Sequence, residues 1–337
     1  MRNDELSGQG TVLFSQRRFG RRGLLRGGFI AGGALLLAGC DSGENGAADG
    51  PPERSTLRVG VLPVPDVAPL HLADRQGLFS RAGLDVELVK MDLAGENKVD
   101  LDDGPVDVLF DSYVSLLTNY GASGNIRFVS EAYEASPGVT ALVVPERSAF
   151  RRLPDRKQPK IAVNNLKGLG VLLTSAIMTP LGVRQDDVRW VHMPFQDMGG
   201  ALERGEVDTA WLIEPFITNL RLSSGIAILA DTADGPTADI PLSGYACSAR
   251  FAEQNPRTLA TFRRALVEAQ KRAADRAAIE RILPSYTGID PSTAALMSVG
   301  SYPPSLTAVK IQRVADLMHT FGLVPTRFRI TDLIKAA

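Results

Sequence analysis

The stretch Ala201-Leu-Glu-Arg-Gly205-Glu-Val-Asp208-Thr-Ala-Trp-Leu-Ile-Glu214-Pro-Phe216 reads as a helix end, a turn, a buried strand and a loop into the next helix. Gly205 suits the position after a helix C-terminus, where the chain turns left-handed, and Pro215 suits a helix start, where its missing N–H costs nothing. Thr209 to Ile213 is too short and too continuously apolar for a surface helix, which predicts a parallel strand covered on both faces. Glu214 then stands at that strand's carboxyl end.

The pattern occurs again about a hundred residues earlier. There Gly104-Pro-Val106-Asp107 leads through Val108-Leu-Phe110 to Asp111-Ser112 and another helical stretch. Two lobes built alike give such an echo. In open α/β sheets ligands lie outside the carboxyl ends of the strands, so Asp111, Ser112 and Glu214 are expected to face a cleft from opposite sides. A plainer role stands beside this one: Asp111 as a cap on the helix beginning near Tyr113, and Glu214 as the complement of the next helix's N-terminal dipole.

The chain opens on a basic segment, Arg17-Arg18-Phe-Gly-Arg21-Arg22-Gly-Leu24-Leu25-Arg26, followed by an uncharged run from Gly27 to Gly39 and then Cys40. A run of that length spans about 20 Å as a helix, short of a hydrocarbon core of about 30 Å, so it reads as a cleaved signal and not as an anchor. Leu37-Ala38-Gly39-Cys40 resembles a bacterial lipobox, which implies lipidation of Cys40. Gly20 to Arg26 resembles a twin-arginine export signal, with Gly20 and Leu24 departing from the usual residues. Residues 41–55 are rich in Gly, Ala, Pro and acids without periodicity, and are expected to form a flexible, disordered tether.

Removing residues 1–40 takes away six arginines and two acids and leaves 31 basic and 36 acidic side chains. That balance gives no nucleic-acid surface. Cys247 is then the one remaining thiol, which excludes a disulfide framework, a metal-binding cysteine pair and a redox motif.

Leu57-Arg-Val-Gly-Val-Leu62 alternates as a first strand, Pro63 to Asp66 forms a loop, Pro69 to Phe79 a helix, and Val86 to Lys90 the next strand, a βαβ order. Asp66-Val-Ala-Pro69-Leu-His-Leu-Ala73, Gly77-Leu-Phe79, Gly83-Leu-Asp-Val86 and Met193-Pro-Phe195-Gln-Asp197-Met resemble the solute receptors of ABC importers for sulfonates, nitrate and taurine. The same group holds thiamine-pyrimidine receptors and a related pyrimidine synthase. The Gly-X-Val-Asp and Glu-Pro-Phe elements belong to the same pattern, and the similarity runs from about Leu57 to the last helices.

The resemblance implies a two-lobed α/β periplasmic-binding-protein-like fold, each lobe a mostly parallel sheet flanked by helices, with two interlobe crossings. Val139 to Val144 is expected to close the first part of lobe one, and Pro145 to Pro159, rich in Arg, Pro and Ser, to be the first crossing. Strands at Lys160 to Asn164, Val188 to Met193 and Ile226 to Ala230 build lobe two, and Asp234 to Pro241 is the second crossing. Lobe one thus comprises 56–146 and 242–337, and lobe two 147–241, with helices closing the C-terminus.

Asn164-Asn165-Leu-Lys-Gly168-Leu-Gly170 follows a strand and opens a helix, so Asn165 and Gly168 are placed on the cleft; the stretch lacks the glycine spacing of a nucleotide loop. His71, His192 and His319 have no serine or carboxylate at a catalytic spacing and read as structural or surface residues. The pyrimidine branch carries an Asn-His pair where this chain has Asp66-Val67, and its synthase a cysteine cluster that is missing here. Among the aromatics, Phe195 is assigned to the cleft, and Trp211 to cleft or core alike. Paired carboxylates suit an inorganic anion poorly, and favour a solute with an amine or several donors.

These readings make the protein an exported lipoprotein, anchored through Cys40 on the outer face of the cytoplasmic membrane, that binds a small organic solute and hands it to an ABC permease and ATPase. The expected binding set is Asp66, Asp111, Ser112, Asn165, Gly168, Phe195 and Glu214, with no cofactor or metal, in a monomer. The alternative is an exported enzyme of the pyrimidine-synthase type on the same scaffold.

Overall fold

A computed structural model describes residues 50–92 and 98–334. The expected leader, the expected lipobox with Cys40 and residues 41–49 of the expected tether lie outside the described residues. The first sheet is assembled from β1 (Thr56–Val61), β2 (Asp85–Lys90), β3 (Val108–Ser112), β4 (Arg127–Glu134) and β10 (Pro241–Cys247), in the order β2-β1-β3-β10-β4. The second holds β5 (Thr140–Pro145), β6 (Lys160–Val163), β7 (Arg189–His192), β8 (Thr209–Ile213) and β9 (Ile226–Asp231), in the order β7-β6-β8-β5-β9. Three neighbouring strands in each sheet run parallel, and a single strand, β10 or β5, runs antiparallel to both of its neighbours.

The helices that cover the first sheet begin with α1 (Ala68–Arg75), α2 (Leu78–Arg81) and α3 (Tyr113–Tyr120); those of the second are α4 (Leu169–Met178), α5 (Phe195–Glu203) and α6 (Phe216–Ser223). The rest follow β10: α7 (Ala249–Gln254), α8 (Pro256–Arg272), α9 (Arg276–Ile282), α10 (Pro284–Thr287), α11 (Pro291–Leu296), α12 (Ala308–Thr320) and α13 (Ile330–Ile334). The helix expected over Pro69 to Phe79 is divided into α1 and α2, because Gly77 takes φ of 64° and turns the chain between them.

The repeated Gly-X-Val-Asp element has one structural job in both sheets. The Asp107 amide donates to the Arg58 carbonyl while the Arg58 amide donates to the Asp107 carboxylate at 2.8 Å. Asp208 makes the same exchange with Lys160, again with a 2.8 Å bond to its carboxylate. Each aspartate therefore sets the entry of its own strand against the neighbouring parallel one, β3 on β1 and β8 on β6.

Two expectations are corrected. The strand Val139 to Val144, assigned to lobe one, is β5 of the second sheet, paired with β8 and β9. The chain therefore passes between sheets over residues 135–139, not over Pro145 to Pro159, and returns over 232–240. An apolar strand of this kind reads the same in either sheet; only its distant partners decide. The end of the tether is also docked. Glu53 accepts hydrogen bonds from the Arg257 and Thr258 amides, and from the Thr258 hydroxyl, at the start of α8. Burial alone would raise its carboxyl, but these donors outweigh that effect and hold it at about 2.

Candidate binding cavity

A cavity of about 670 Å³ lies at the carboxyl ends of the parallel strands of both sheets. Its volume is in the range of small-molecule sites. From the first sheet come Asp66, just beyond β1, Asp111 and Ser112 at the end of β3, and Ser243 on β10. From the second come Asn165 and Gly168 after β6, Phe195 at the start of α5, and Glu214 after β8. The seven residues singled out in the sequence thus line one cavity, three from the first sheet and four from the second.

Their chemistry differs. Ser243 pairs across the ladder with Ser112, and Gly244 with Asp111, so β10 brings the Ser243 hydroxyl beside both strand ends. That hydroxyl donates to Asp66 Oδ2 at 2.6 Å. Burial raises the Asp66 carboxyl to about 6, against the Ser243 hydrogen bond. Asp111 accepts the Ser112 amide at 2.6 Å, and Ser112 caps α3 by accepting the Ser115 amide. Burial likewise lifts the Asp111 carboxyl to about 6, with the Ser112 amide opposing. Among the described residues neither carboxylate is ion-paired.

Glu214 is occupied. Its Oε2 accepts the Thr218 amide at 3.0 Å, and its Oε1 accepts the Thr218 hydroxyl at 2.8 Å and the Ser298 amide at 3.1 Å. Burial raises this carboxyl too, while the Ser298 and Thr218 amides hold it down. It completes the first turn of α6 and fastens the segment after α11; the helix-start role considered for it is present in the structure. The peptide bond between Glu214 and Pro215 is cis.

Phe195 is stacked on Phe216 with ring centres 5.0 Å apart and lies 5.9 Å from Trp211. Trp211 also lines the cavity, and its indole N–H donates to Thr232, whose hydroxyl donates to Thr140. Gly170 makes room for this indole: a Cβ there would come within 2.5 Å of the Trp211 ring. Asn165 accepts the Lys167 amide and shapes the loop into α4. Tyr245 on β10 is packed between Phe110 and Phe262 and is not part of the cavity lining.

Several lining residues escaped the sequence reading. Tyr133 on β4 accepts the Gly300 amide. Lys98 and Lys167 stand exposed at the cavity wall. His192, read as structural, ends β7 at the cavity, whereas His71 is stacked on Tyr286 at 3.8 Å, and burial there lowers its pKa to about 4. Cys247 is buried in β10 and does not reach the cavity.

Among solved structures the chain is similar to the periplasmic aliphatic sulphonate binding protein SsuA from Escherichia coli, with TM-score 0.69 and 20% identity over 83% of this chain and 92% of that one. It is also similar to the alkanesulfonate-binding protein SsuA from Xanthomonas axonopodis pv. citri bound to MOPS, with TM-score 0.69 and 21% identity over 85% and 99%. The periplasmic nitrate-binding protein NrtA from Synechocystis PCC 6803 matches with TM-score 0.59 and 17% identity over 72% and 70%. At these identities the likeness establishes the periplasmic-binding-protein fold. No curated protein sequence matches the chain. The NMT1-like family model matches residues 50–284, a range that holds every strand of both sheets, and the chain belongs to the NMT1-like family.

Proposed function

We propose that this protein is the solute-binding component of an ABC importer, which captures a small organic molecule in the cavity between its two sheets and delivers it to a membrane permease. The observation that carries this reading is the cavity, lined from the carboxyl ends of strands in both sheets. Its walls belong to two bodies joined by 135–139 and 232–240, and closure of two such bodies on a ligand is a hinge motion. The fold shared with sulphonate- and nitrate-binding proteins supports the same reading. The two lobes are 56–134 with 241–334, and 140–231. Asp66, Asp111, Ser112, Asn165, Gly168 and Phe195 contact the solute, while Glu214 holds the wall in place.

The protein is exported and held on the outer face of the cytoplasmic membrane by lipid on Cys40, with the docked Glu53 ending the tether. It works as a monomeric receptor and performs no chemistry on its solute. A thermal-shift screen across amines, pyrimidines, sulfonates and amino acids tests the reading. A true ligand at 100 times its dissociation constant adds about 2.7 kcal/mol of stability. A screen in which no class of solute raises the melting temperature overturns it.

A further inference from the structure

We infer that the solute carries an organic cation as its head group, a protonated amine, amidine or guanidinium seated at Asp66 and Asp111, with its apolar body against Phe195 and Trp211. This rests on the solute-receptor reading above and states what such a receptor would take.

Three carboxylates line the cavity, and their hydrogen bonds separate them. Glu214 spends both oxygens on three protein donors, so it has little left for a ligand. Asp66 takes the Ser243 hydroxyl on Oδ2 and its own backbone amide. Asp111, 9% exposed, takes the Ser112 amide on Oδ1 and the hydroxyls of Ser112 and Ser115. All of these donors are neutral, so among the described residues neither carboxylate meets a positive charge. The β10 register brings them to one end of the cavity, since Ser243 bonds Asp66 while lying opposite Ser112 and next to Gly244, the partner of Asp111.

Two carboxylates withdrawn from water without a counter-charge are costly, and a positive ligand relieves that cost while an anion adds to it. The ordinary carboxyl pKa is near 4 and burial has raised both groups, the response expected of acids lacking a cation. Lys98 and Lys167 do not reverse the balance. Both residues are exposed to solvent, where water and salt weaken a charge's pull on an anion. Nor do the described residues bring three His, Cys, Asp or Glu side chains within reach of one metal ion. An organic cation is then the fitting counter-charge. Phe195 and Trp211, both largely buried, belong to the part of the cavity lining contributed by the second sheet and its helices, and supply its aromatic component for an apolar body.

The test uses three probes of nearly one shape: benzamidine, neutral benzamide and anionic benzenesulfonate, each titrated into the full-length protein at neutral pH by calorimetry. Benzamidine should bind about ten- to a hundredfold more tightly than benzamide, and benzenesulfonate more weakly than either. Asp66→Asn and Asp111→Asn should each bring benzamidine close to benzamide, with circular dichroism confirming that the variants fold. Phe195→Ala should weaken benzamidine and benzamide alike. Tighter binding of benzenesulfonate than of benzamidine overturns the cationic head group and leaves the receptor reading standing. Failure of all three probes to bind, together with a blank solute screen, overturns the receptor reading itself. Benzamidine binding that Asp66→Asn and Asp111→Asn leave unchanged overturns the assigned seat.

Discussion

Glu214 accepts the backbone amide of Ser298 at 3.1 Å, a hydrogen bond that joins the end of β8 to the segment after α11 across 84 residues of chain. Thr293 reinforces the junction by donating to Asn219 on α6 at 3.1 Å. A residue chosen from sequence for its place at a strand end is thus already committed to holding the wall. Replacing one oxygen by an amide group puts a donor against the Thr218 or Ser298 N–H. Glu214→Gln should therefore lower the unfolding free energy by about 1–3 kcal/mol, read as a lower denaturant midpoint. An unchanged midpoint would show that these bonds contribute nothing net.

Asp66 and Asp111 should act on stability in the opposite sense. Their carboxyls are raised from 3.8 to about 6 in the folded protein, so the folded state holds their protons more tightly than the unfolded chain does. The contribution is fully present below pH 3.8 and is lost as pH rises towards 6. Tyr133, Tyr245, Tyr286 and Tyr302 feel the Asp66 charge, and all four phenols are raised, chiefly by burial, so none titrates in that window. Ligand-free Asp66→Asn and Asp111→Asn should match or exceed the wild type in melting temperature at pH 7 and flatten its decline between pH 4 and 6. A pH scan by calorimetry decides this; a steeper decline in the variants would contradict it.

Glu53 gives the contrary case. Its carboxyl is lowered from 4.5 to about 2, so its contribution is present above pH 4.5 and is lost as pH falls towards 2. Glu53→Ala should cost about 1–2 kcal/mol at neutral pH, as removal of a helix N-terminal acceptor does. Hydrogen exchange at the Arg257 and Thr258 amides should rise in that variant at neutral pH. Protection equal to the wild type would mean that Glu53 does not hold the start of α8.

The proposed membrane attachment rests on the residues around Cys40. Cys40→Ser should abolish incorporation of labelled fatty acid and leave an uncleaved or soluble protein. Normal labelling of the variant would place the lipid on another residue and overturn the assignment to Cys40.

Much of the site was legible because strand ends advertise themselves. The run Thr209 to Ile213 is apolar throughout and bounded by Gly205 and Pro215, and its end at Glu214 meets the cavity as the pattern implied. Strand β4 escaped because Arg127-Phe-Val-Ser-Glu-Ala-Tyr-Glu134 carries charges that look exposed in sequence. In the fold Glu134 is ion-paired with Lys310 at 2.6 Å, while Glu131 is held through its backbone carbonyl, which accepts from Gln270 at 2.7 Å, and burial raises its carboxyl to about 7. Those partners lie 176 and 139 residues away, beyond any local pattern. The same distance hid the occupancy of Glu214, whose third donor, Ser298, belongs to a loop with no periodicity to announce it.

The connectors between the sheets have a mechanical consequence. β4 leaves the first sheet paired antiparallel with the returning β10, and β5 enters the second paired antiparallel with the departing β9. The Ala135 amide donates to the Ile240 carbonyl at one end, and the Thr232 amide to the Thr140 carbonyl at the other, with bonds of 2.9 and 3.0 Å. The link is therefore a two-stranded ribbon clamped at both ends, not a pair of independent cords. A ribbon of this kind flexes across its flat face far more readily than it shears along its length, because shear would break both clamps. If the two parts move as proposed, the free and the filled protein should differ by a rotation about an axis that crosses the ribbon between the Ala135–Ile240 and Thr140–Thr232 clamps, and the Glu214–Ser298 and Asn219–Thr293 bonds between the parts must yield or turn with it.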